Sequence, residues 1–448
     1  MRVIIVLLLL VISNITNCGK AQIKSAESQN PESKIYPEVE AHQKLLDDTK
    51  IIYTGIGSTT APVDSIRSLI DQFYINQFRH FQDPKAPYFM FMSKDANIAM
   101  GVGGVIRMRG WADWNGSIPA NGFAPYLIPV EKDPTNMKHL GATPSGCAVF
   151  LTILGRKSIL GEYIGYIEAN FNGYKGVGFQ LKKAYFMAGD WTLGYATSTF
   201  SDPAAQPPTI DGAGPNGHVS RTNILVRYMH SFKKNWTIAG SIEIPSSQID
   251  DSGEFTKKCA DWVPDVSGFM QYDWNSGLSH IRLSGLVRVL SYRDIIKECN
   301  RDVMGWGLQL TGYSKIGYPV TVYGGIGYGK GIGSYLVDLS CDNTDLIPDP
   351  SAQGYLYAPG SLGITLGLKY NFTSAVYSTL ALGHLRYYPK SGIESTSYKY
   401  GMYGAINLFW DITPRFQIGA EYLAGKRMDI GEMHGNANRA DALFQFMF

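Results

Sequence analysis

The chain has little charge and, after its first residues, no long apolar run. Of its 448 residues only 17% are charged, against roughly 25% in ordinary soluble domains. A membrane-spanning helix needs about 20 consecutive apolar residues, and the longest mainly apolar run beyond residue 13 is Ala148 to Leu154. A bundle of membrane helices is therefore excluded, and the 45% hydrophobic content excludes a disordered chain. The composition instead has 49 Gly and 28 Tyr, which is typical of β-structure compatible with a membrane.

The net charge of the chain is also close to zero, so the charge balance indicates no class of binding partner. The 40 Lys and Arg exceed the 38 Asp and Glu by two. Arg2 and Lys20 account for that excess and would leave with a leader of residues 1–21. Nothing in this balance predicts binding to nucleic acid.

Signals for catalysis and metal binding are lacking as well. The 8 His show no ligand spacing such as His-x-x-x-His. Gly324 to Gly331 (GGIGYGKG) approaches a phosphate loop, but Gly331 stands where Ser or Thr is required. No Ser, His and Asp fall on neighbouring predicted strands, and the N-terminal region does not resemble the plug of an energy-coupled receptor. We therefore expect no enzyme, no metal and no cofactor.

The first 21 residues have the pattern of a secretory signal. Arg2 supplies the positive start, Val3 to Ile12 form the apolar region, and Gly19-Lys20-Ala21 places small residues at the positions that specify cleavage. We expect cleavage before Gln22. Lipoprotein processing at Cys18 is the alternative.

Residues 22–97 predict two periplasmic parts. Residues 22–63 are predicted to be a polar lead-in; within it, Gln22 to Lys50 mixes acidic and basic side chains and predicts a flexible or weakly helical segment. Residues 64–97 begin with apolar residues at helical spacing from Asp64 to Phe81, which predicts an amphipathic helix capped by Asp64. Tyr88 to Met92 predicts one short strand.

From Ile98 onward, apolar and polar residues alternate to the C-terminus. On the first such segment Met100, Val102 and Met108 share one face, while Arg107 and Arg109 lie on the other. Arginines on the face away from lipid are typical of an outer-membrane barrel, whereas a sandwich would bury its apolar face in a packed core. We count sixteen segments, at approximately 98–114, 146–154, 160–171, 177–187, 191–198, 220–231, 236–245, 261–274, 278–293, 304–314, 318–329, 354–371, 375–388, 398–411, 415–427 and 439–448.

The connections between these segments alternate between long and short. Tight turns such as Asn275-Ser276-Gly277 and Ile412-Thr413-Pro414 are interleaved with longer connections. The long ones fall at 115–145, 199–219, 246–260, 330–353 and 428–438. Long loops outside and short turns inside are expected when both termini are periplasmic. Residues 98–448 thus predict an all-β fold, a 16-stranded antiparallel transmembrane β-barrel in the bacterial outer membrane.

Aromatic residues support this prediction. All 8 Trp lie at or near predicted strand ends, where the aromatic girdles of membrane barrels lie. Ala442, Phe444, Phe446 and Phe448 share one face of the last strand. We expect the terminal Phe448 to be recognised by the barrel-insertion machinery, and the outer face to contact outer-membrane lipid.

Basic residues at inward positions are the candidate pore lining. A row of guanidinium groups along a pore wall offers an anion successive weak binding sites. The alternative is that these groups pair with inward acids such as Asp113, Glu168 and Asp265 and merely support the wall. The candidates are Arg107, Arg109, Lys182, Arg221, Arg227, Arg282 and Arg288.

The long connection 199–219 predicts a pore constriction. The stretch Ser198 to Gly217 (STFSDPAAQPPTIDGAGPNG) is rich in Pro, Gly and Ala and precedes a strand that carries arginines. A loop of this kind can fold inward and narrow the pore; the alternative is a disordered surface loop. Its candidate residues are Asp202, Asp211, Gly214, Pro215 and Asn216.

Four runs resemble the DcaP-like porins, a family of trimeric outer-membrane channels. They are SKDANIAMGVGG (93–104), GEYIGYIEANFNG (161–173), FQLKKAY (179–185) and FSDPAAQPPTIDGAGPNG (200–217). The resemblance implies sixteen strands, a homotrimer and passive uptake of small anionic solutes such as dicarboxylates. The family often has Arg-Leu-Arg where this chain has Gln180-Leu181-Lys182, so one positive charge is missing.

The remaining expectations concern the cysteines and an alternative function. An exported chain can form disulfides, and Cys259 and Cys299 flank the hairpin of the eighth and ninth segments. We predict that these two are bonded and that Cys147 and Cys341 lie near the loops. The alternative function is a barrel whose extracellular loops bind a partner or glycan, with permeation incidental.

Overall fold

The computed structural model describes residues 50–54, 79–81, 89–93, 97–118, 120–155, 162–173, 177–232, 235–251 and 253–448. The chain divides into two units, 1–40 and 41–448, and the second contains every element reported below. Within the described ranges, no helix is long and apolar enough to cross a membrane. The predicted signal, most of the predicted lead-in and most of the predicted helix lie outside these ranges.

Two short pieces precede the barrel. Of the predicted helix, Arg79–Phe81 is described and forms one helical turn, α1. The predicted short strand is present at Phe89–Ser93 as β2. Lys50–Thr54, in the predicted polar lead-in, forms strand β1, which pairs in parallel with β2.

The rest of the described chain is almost entirely β-structure. The strands after β2 are β3 Ile98–Trp114, β4 Lys138–Thr143, β5 Ala148–Gly155, β6 Tyr163–Asn170, β7 Gln180–Ala188, β8 Trp191–Thr197, β9 Thr222–Phe232, β10 Trp236–Glu243, β11 Thr256–Lys258, β12 Asp265–Trp274, β13 Ser279–Asp294, β14 Cys299–Ile316, β15 Val320–Lys330, β16 Ile347–Pro348, β17 Leu356–Tyr357, β18 Gly360–Asn371, β19 Val376–Tyr388, β20 Tyr398–Thr413, β21 Phe416–Asp429 and β22 His434–Met447. Short 3-10 turns lie at Pro125–Leu127, Pro134–Asn136, Pro203–Ala205, Asn275–Gly277, Gly333–Tyr335 and Leu339–Cys341.

These strands close into a barrel. Each wall strand pairs antiparallel with the next, and β22 returns to β3, with Arg439 opposite Asp113 and Leu443 opposite Arg109. In the part of the chain that the structure describes, the main sheet has twenty strands. Two of them, β1 and β2, precede the wall, and β4 with β5 and β11 with β12 each form one interrupted wall strand. The wall therefore has the predicted sixteen strands.

The two faces of the wall follow the alternation in the sequence. On β13, Leu283 and Val287 are exposed on the outer face, whereas His280, Arg282 and Arg288 are buried on the inner face. Because side chains of a strand point alternately to opposite faces, a chain of modest average hydropathy presents an apolar surface to lipid.

Two features of the strand pattern were predicted wrongly. The second wall strand includes β4, which fell in the predicted loop 115–145; Pro144, which has no backbone N–H, and Gly146 at φ 103° separate it from β5. The predicted loop 428–438 is a short turn, because β21 continues to Asp429 and β22 begins at His434. Polar residues occupy both faces of these strand ends, so the alternation is not visible there.

Three long connections fold back into the barrel. They are the segments 115–137, 198–221 and 331–359, named L1, L2 and L3 below. Phe123 and Ile128 of L1 pack against Leu423 on the wall, and Phe200 of L2 packs with Tyr335 of L3. The end of the barrel that carries these loops is called the loop end, and the opposite end is the turn end.

Candidate pore constriction

L2 enters the lumen directly after β8. Its first anchor is Glu243 on β10, whose Oε1 accepts hydrogen bonds from Ser198 Oγ and the Thr199 N–H at 3.0 Å each. Glu243 is completely buried. A buried carboxylate that receives several hydrogen bonds is a strong fixed point, so the path of L2 is directed inward from its start.

Asp202 fixes the next part of L2 to β13 and β14. Its Oδ2 lies 2.9 Å from His280 Nε2 and accepts a hydrogen bond from Thr311 Oγ1 at 2.6 Å. Arg282 Nη1 lies 3.5 Å from Oδ1. Burial by itself would raise the pKa of Asp202, but Arg282 and His280 outweigh it and hold the pKa well below its ordinary value. The predicted loop residue Asp202 is therefore a structural anchor.

The tip of L2 is held on the far side of the lumen. Glu421 on β21 accepts hydrogen bonds from the N–H groups of Ile210 at 2.9 Å and Asp211 at 2.7 Å. Arg109 Nη1 lies 3.4 Å from Asp211 Oδ1. Gly214 donates its N–H to Asp211 Oδ2 at 3.1 Å and has φ 66°, a left-handed conformation that favours glycine.

The end of L2 meets L3 and another part of the wall. Asn216 Nδ2 donates to Asp338 of L3 at 3.0 Å, and the Pro215 carbonyl accepts the His218 N–H at 3.4 Å. A Cβ on Gly217 would lie 2.5 Å from the Ile364 carbonyl oxygen on β18. L2 thus contacts β10, β14, β21 and β18 before it returns to β9, so its path crosses the lumen.

Three of the predicted arginines are buried and paired with acids. Besides Arg109 with Asp211, Arg282 contacts Asp202 and donates from Nε to Gln271 at 2.7 Å. Arg288 lies 3.0 Å from Asp345 of L3 and 3.4 Å from Asp265. These ion pairs join wall strands to L2 and L3.

Two other arginines are held by carbonyl groups and not by an ion pair, although Asp211, Glu421 and Asp441 lie near enough to Arg107 to interact with its charge. Arg107 Nη2 donates to the Ile210 carbonyl at 2.8 Å. Arg221 donates to the carbonyls of Ser334 at 2.7 Å and Ser246 at 2.8 Å. Carbonyl oxygens orient a guanidinium group without neutralising it, and neither arginine forms an ion pair with the residues that the structure describes. Arg107 contacts the tip of L2, and Arg221 lies where L2 ends.

The last two candidates lie elsewhere. Lys182 is the extra residue of a β-bulge between β6 and β7; its Nζ lies 2.8 Å from Glu168, and the side chain is about half exposed. Arg227 is 2% exposed, donates to the Thr197 carbonyl at 3.2 Å and lies over the ring of Phe81 at 3.9 Å. Neither takes part in the anchoring of the L2 tip described above.

The predicted disulfide is absent, and the topology explains why. Cys259 and Cys299 are both free thiols. Cys259 follows β11 on one side of β13, whereas Cys299 begins β14 on the other side, opposite Asp294. Two inter-strand spacings amount to about 10 Å, beyond the roughly 7 Å between Cα atoms that a disulfide can bridge. Among the described residues, no group of three or more His, Cys, Asp or Glu is arranged to hold a metal ion.

The family model of the DcaP outer membrane protein matches residues 92–448, which cover the whole barrel wall. The chain belongs to the DcaP family. It is therefore an outer-membrane β-barrel of a porin and channel family, as the four sequence runs indicated. No curated protein matches the chain.

Solved structures with the same fold include two named channels. The outer membrane channel DcaP of Acinetobacter baumannii is 19% identical, with a TM-score of 0.66 over 79% of this chain and 98% of that chain. An anion-selective porin from Comamonas acidovorans is 10% identical, with a TM-score of 0.54 over 78% of this chain and all of that chain. At these identities the similarity shows a shared fold.

Sequence reasoning missed several parts of this DcaP-family site. Glu421, which holds the L2 tip, was not predicted as a site residue. The pairing of Arg439 with Asp113 was not predicted either, and L1 and L3 were not expected to fold inward. The alternation of apolar and polar residues predicts that these wall residues face inward. It does not predict their partners, because the partners lie in loops and strands more than a hundred residues away in the sequence.

Proposed function

We propose that this DcaP-family barrel is a porin for the passive diffusion of small anionic solutes, with dicarboxylates as the candidate class. The proposal rests on the hydrogen bonds of Arg107 and Arg221, which are made to backbone carbonyls and not to a carboxylate. Both border L2, and both guanidinium groups are held by backbone carbonyls. The Comamonas porin is anion-selective by name, but at 10% identity it supports only the fold.

Positive charge that is not bound in an ion pair, at a narrow, low-dielectric passage, attracts anions and repels cations. A guanidinium group also presents a planar fork that matches a carboxylate in two hydrogen bonds. Arg109, Arg282 and Arg288 contribute less to selectivity because acids neutralise them. The two carbonyl-bound arginines should therefore account for most of the preference for anions.

The reversal potential across a planar bilayer with a KCl gradient tests this proposal. Wild-type protein should show a shift toward the chloride potential, and Arg107→Gln with Arg221→Gln should reduce it. The matched control is Arg386→Gln, which removes one positive charge from the outer face of β19. Cation preference in the wild type, or an unchanged ratio in the double variant, would overturn the proposal. A sealed barrel would favour the alternative in which the loops bind a partner or glycan.

We also propose that the barrel assembles as a homotrimer, as the family resemblance implies. Light scattering of the detergent-solubilised protein, corrected for bound detergent, tests the mass of the assembly. A trimer mass is expected, and a monomer at every protein concentration would contradict it.

A further inference from the structure

The second wall strand is interrupted directly beside Arg107. On one side of the interruption β4 pairs Thr143 with Arg109, and on the other side β5 pairs Ala148 with Val105. Arg107 lies between these two pairs and has no pairing residue in β4 or β5. The segment 144–147, named the break below, faces it instead. The backbone N–H and C=O groups of Arg107 therefore need other partners, because unpaired backbone groups are unfavourable.

Cys147 provides both partners with its side chain. The Arg107 N–H donates a hydrogen bond to Cys147 Sγ, and the thiol donates to the Arg107 carbonyl, each at 3.2 Å. A thiol is a weak donor and also a weak acceptor, so one sulfur atom takes the place of a strand partner. The Cys147 N–H donates to the Pro144 carbonyl at 2.9 Å, and this bond closes the turn that brings the side chain back to β3.

Gly146 leaves room for the Arg107 side chain. A Cβ atom on Gly146 would lie 2.9 Å from Arg107 Cδ, which is closer than van der Waals contact allows. Gly146 also has φ 103°, a conformation that favours glycine. The break therefore contacts both the backbone and the side chain of Arg107, whose Nη2 donates to the Ile210 carbonyl at the tip of L2.

These contacts bear on the pore because an arginine side chain is long and flexible. The place that the guanidinium group reaches depends on where the backbone lies and on which path is free for the methylene stem. Cys147 holds the backbone of Arg107, and Gly146 leaves the path of the stem open. Together they explain how an arginine on β3 reaches the tip of L2.

We propose that the break positions the guanidinium group of Arg107 at the tip of L2 and thereby sets the strength of the preference for anions. Gly146 and Cys147 are positioning residues, since they act through Arg107. The inference rests on the proposed function. A wild-type channel without anion preference would overturn both, whereas a preference that depends on Arg107 but not on the break would overturn the positioning role alone.

The first test measures the reversal potential of Cys147 variants in a KCl gradient. Cys147→Ala removes both hydrogen bonds, and we expect the anion preference to fall toward that of Arg107→Gln. Cys147→Ser keeps a group that donates and accepts and should stay near the wild type. Cys341→Ala, at an exposed free thiol, is the matched control and should not differ from the wild type. An unchanged preference in Cys147→Ala, or an equal loss in Cys147→Ser, would overturn the proposal.

Combination with arginine variants separates positioning from a general effect on the barrel. If Cys147 acts through Arg107, Cys147→Ala should cause no further loss of anion preference in the Arg107→Gln background. In the Arg221→Gln background it should cause its usual loss. Losses of the same size in both backgrounds would overturn the proposal.

The second test displaces the side chain and leaves the thiol unchanged. Gly146→Ala should move the stem of Arg107 and lower the anion preference. Gly110→Ala, whose Cβ would lie 3.8 Å from its nearest neighbour, is the matched control and should behave like the wild type. A Gly146→Ala channel with the preference of Gly110→Ala would overturn the proposal.

Discussion

Arg439 and Asp113 form a two-point ion pair across the seam that closes the barrel. Arg439 Nε lies 2.6 Å from Asp113 Oδ1, and Nη2 lies 3.0 Å from Oδ2. The same guanidinium group donates to the carbonyls of Ile118, Ala120 and Asn121. One buried side chain therefore joins the last strand to the first and also holds L1 inside the lumen.

Breaking this pair should destabilise the barrel. Removal of one partner of a buried ion pair costs about 3–5 kcal/mol, because the other charge is left uncompensated. We expect Arg439→Met to lower the free energy of unfolding in urea by that order, and Asp113→Ala added to it to recover part of the loss. Lys390→Met removes one member of an exposed pair with Asp349 and should cost about 1 kcal/mol or less. Equal unfolding free energies for Arg439→Met and wild type would contradict this role of the pair.

Glu421 should control the width of the constriction. Glu421→Ala removes the acceptor for the N–H groups at the tip of L2 and for Asn407 Nδ2. We expect the tip to detach and the single-channel conductance to rise. Glu394→Ala, in an exposed position between β19 and β20, is the control. If Glu421→Ala conducts as wild type does, L2 is held by its other anchors and this prediction is wrong.

Gly217 should tolerate no side chain. Its Cβ would lie 2.5 Å from a backbone oxygen of Ile364, and overpacking of this kind typically costs about 1–3 kcal/mol. We expect Gly217→Ala to lower the unfolding free energy accordingly, because L2 can no longer dock on β18. Gly240→Ala meets nothing within 4 Å and should fold with near-normal stability. A Gly217→Ala barrel as stable as Gly240→Ala would refute the close approach.

Cys259 and Cys299 should both be available as thiols. Because β13 separates the strands that carry them, we expect iodoacetamide to modify each without prior reduction of the unfolded protein. Peptide mass spectrometry measures both adducts in one experiment. A peptide pair linked through Cys259 and Cys299 would show that the strand order at β11 to β14 is wrong.

The strands of the wall could be predicted because the alternation that indicates them is a local property of the sequence. Alternate side chains of a strand point to lipid and lumen, so Leu283 and Arg282 fall on opposite faces whatever the rest of the chain does. The pattern failed at β4 and at the β21–β22 turn, where both faces are polar or the strand is interrupted by Pro144. Outside the apolar band, neither face needs to be hydrophobic and the alternation loses its physical basis.

The partners of the side chains that face the lumen were harder to predict. Arg288 and Arg221 are both predicted inward arginines, yet Asp345 forms an ion pair with Arg288, whereas the backbone carbonyls of Ser334 and Ser246 and the side chain of Asn223 hold Arg221. Asp345 belongs to L3, and its approach to β13 depends on how L3 folds. The disulfide prediction failed for the same reason: proximity along a hairpin did not show that a third strand separates the two cysteines.

The barrel, the number of its strands and the family could all be predicted from the sequence. These follow from a repeat of two residues and from short runs that need no long-range information. The ion pairs of the inward arginines, the path of L2 and the position of α1 inside the barrel are visible only in the three-dimensional structure. Each of these depends on contacts between residues far apart in the chain, and a period of two specifies the face of a side chain but not its partner.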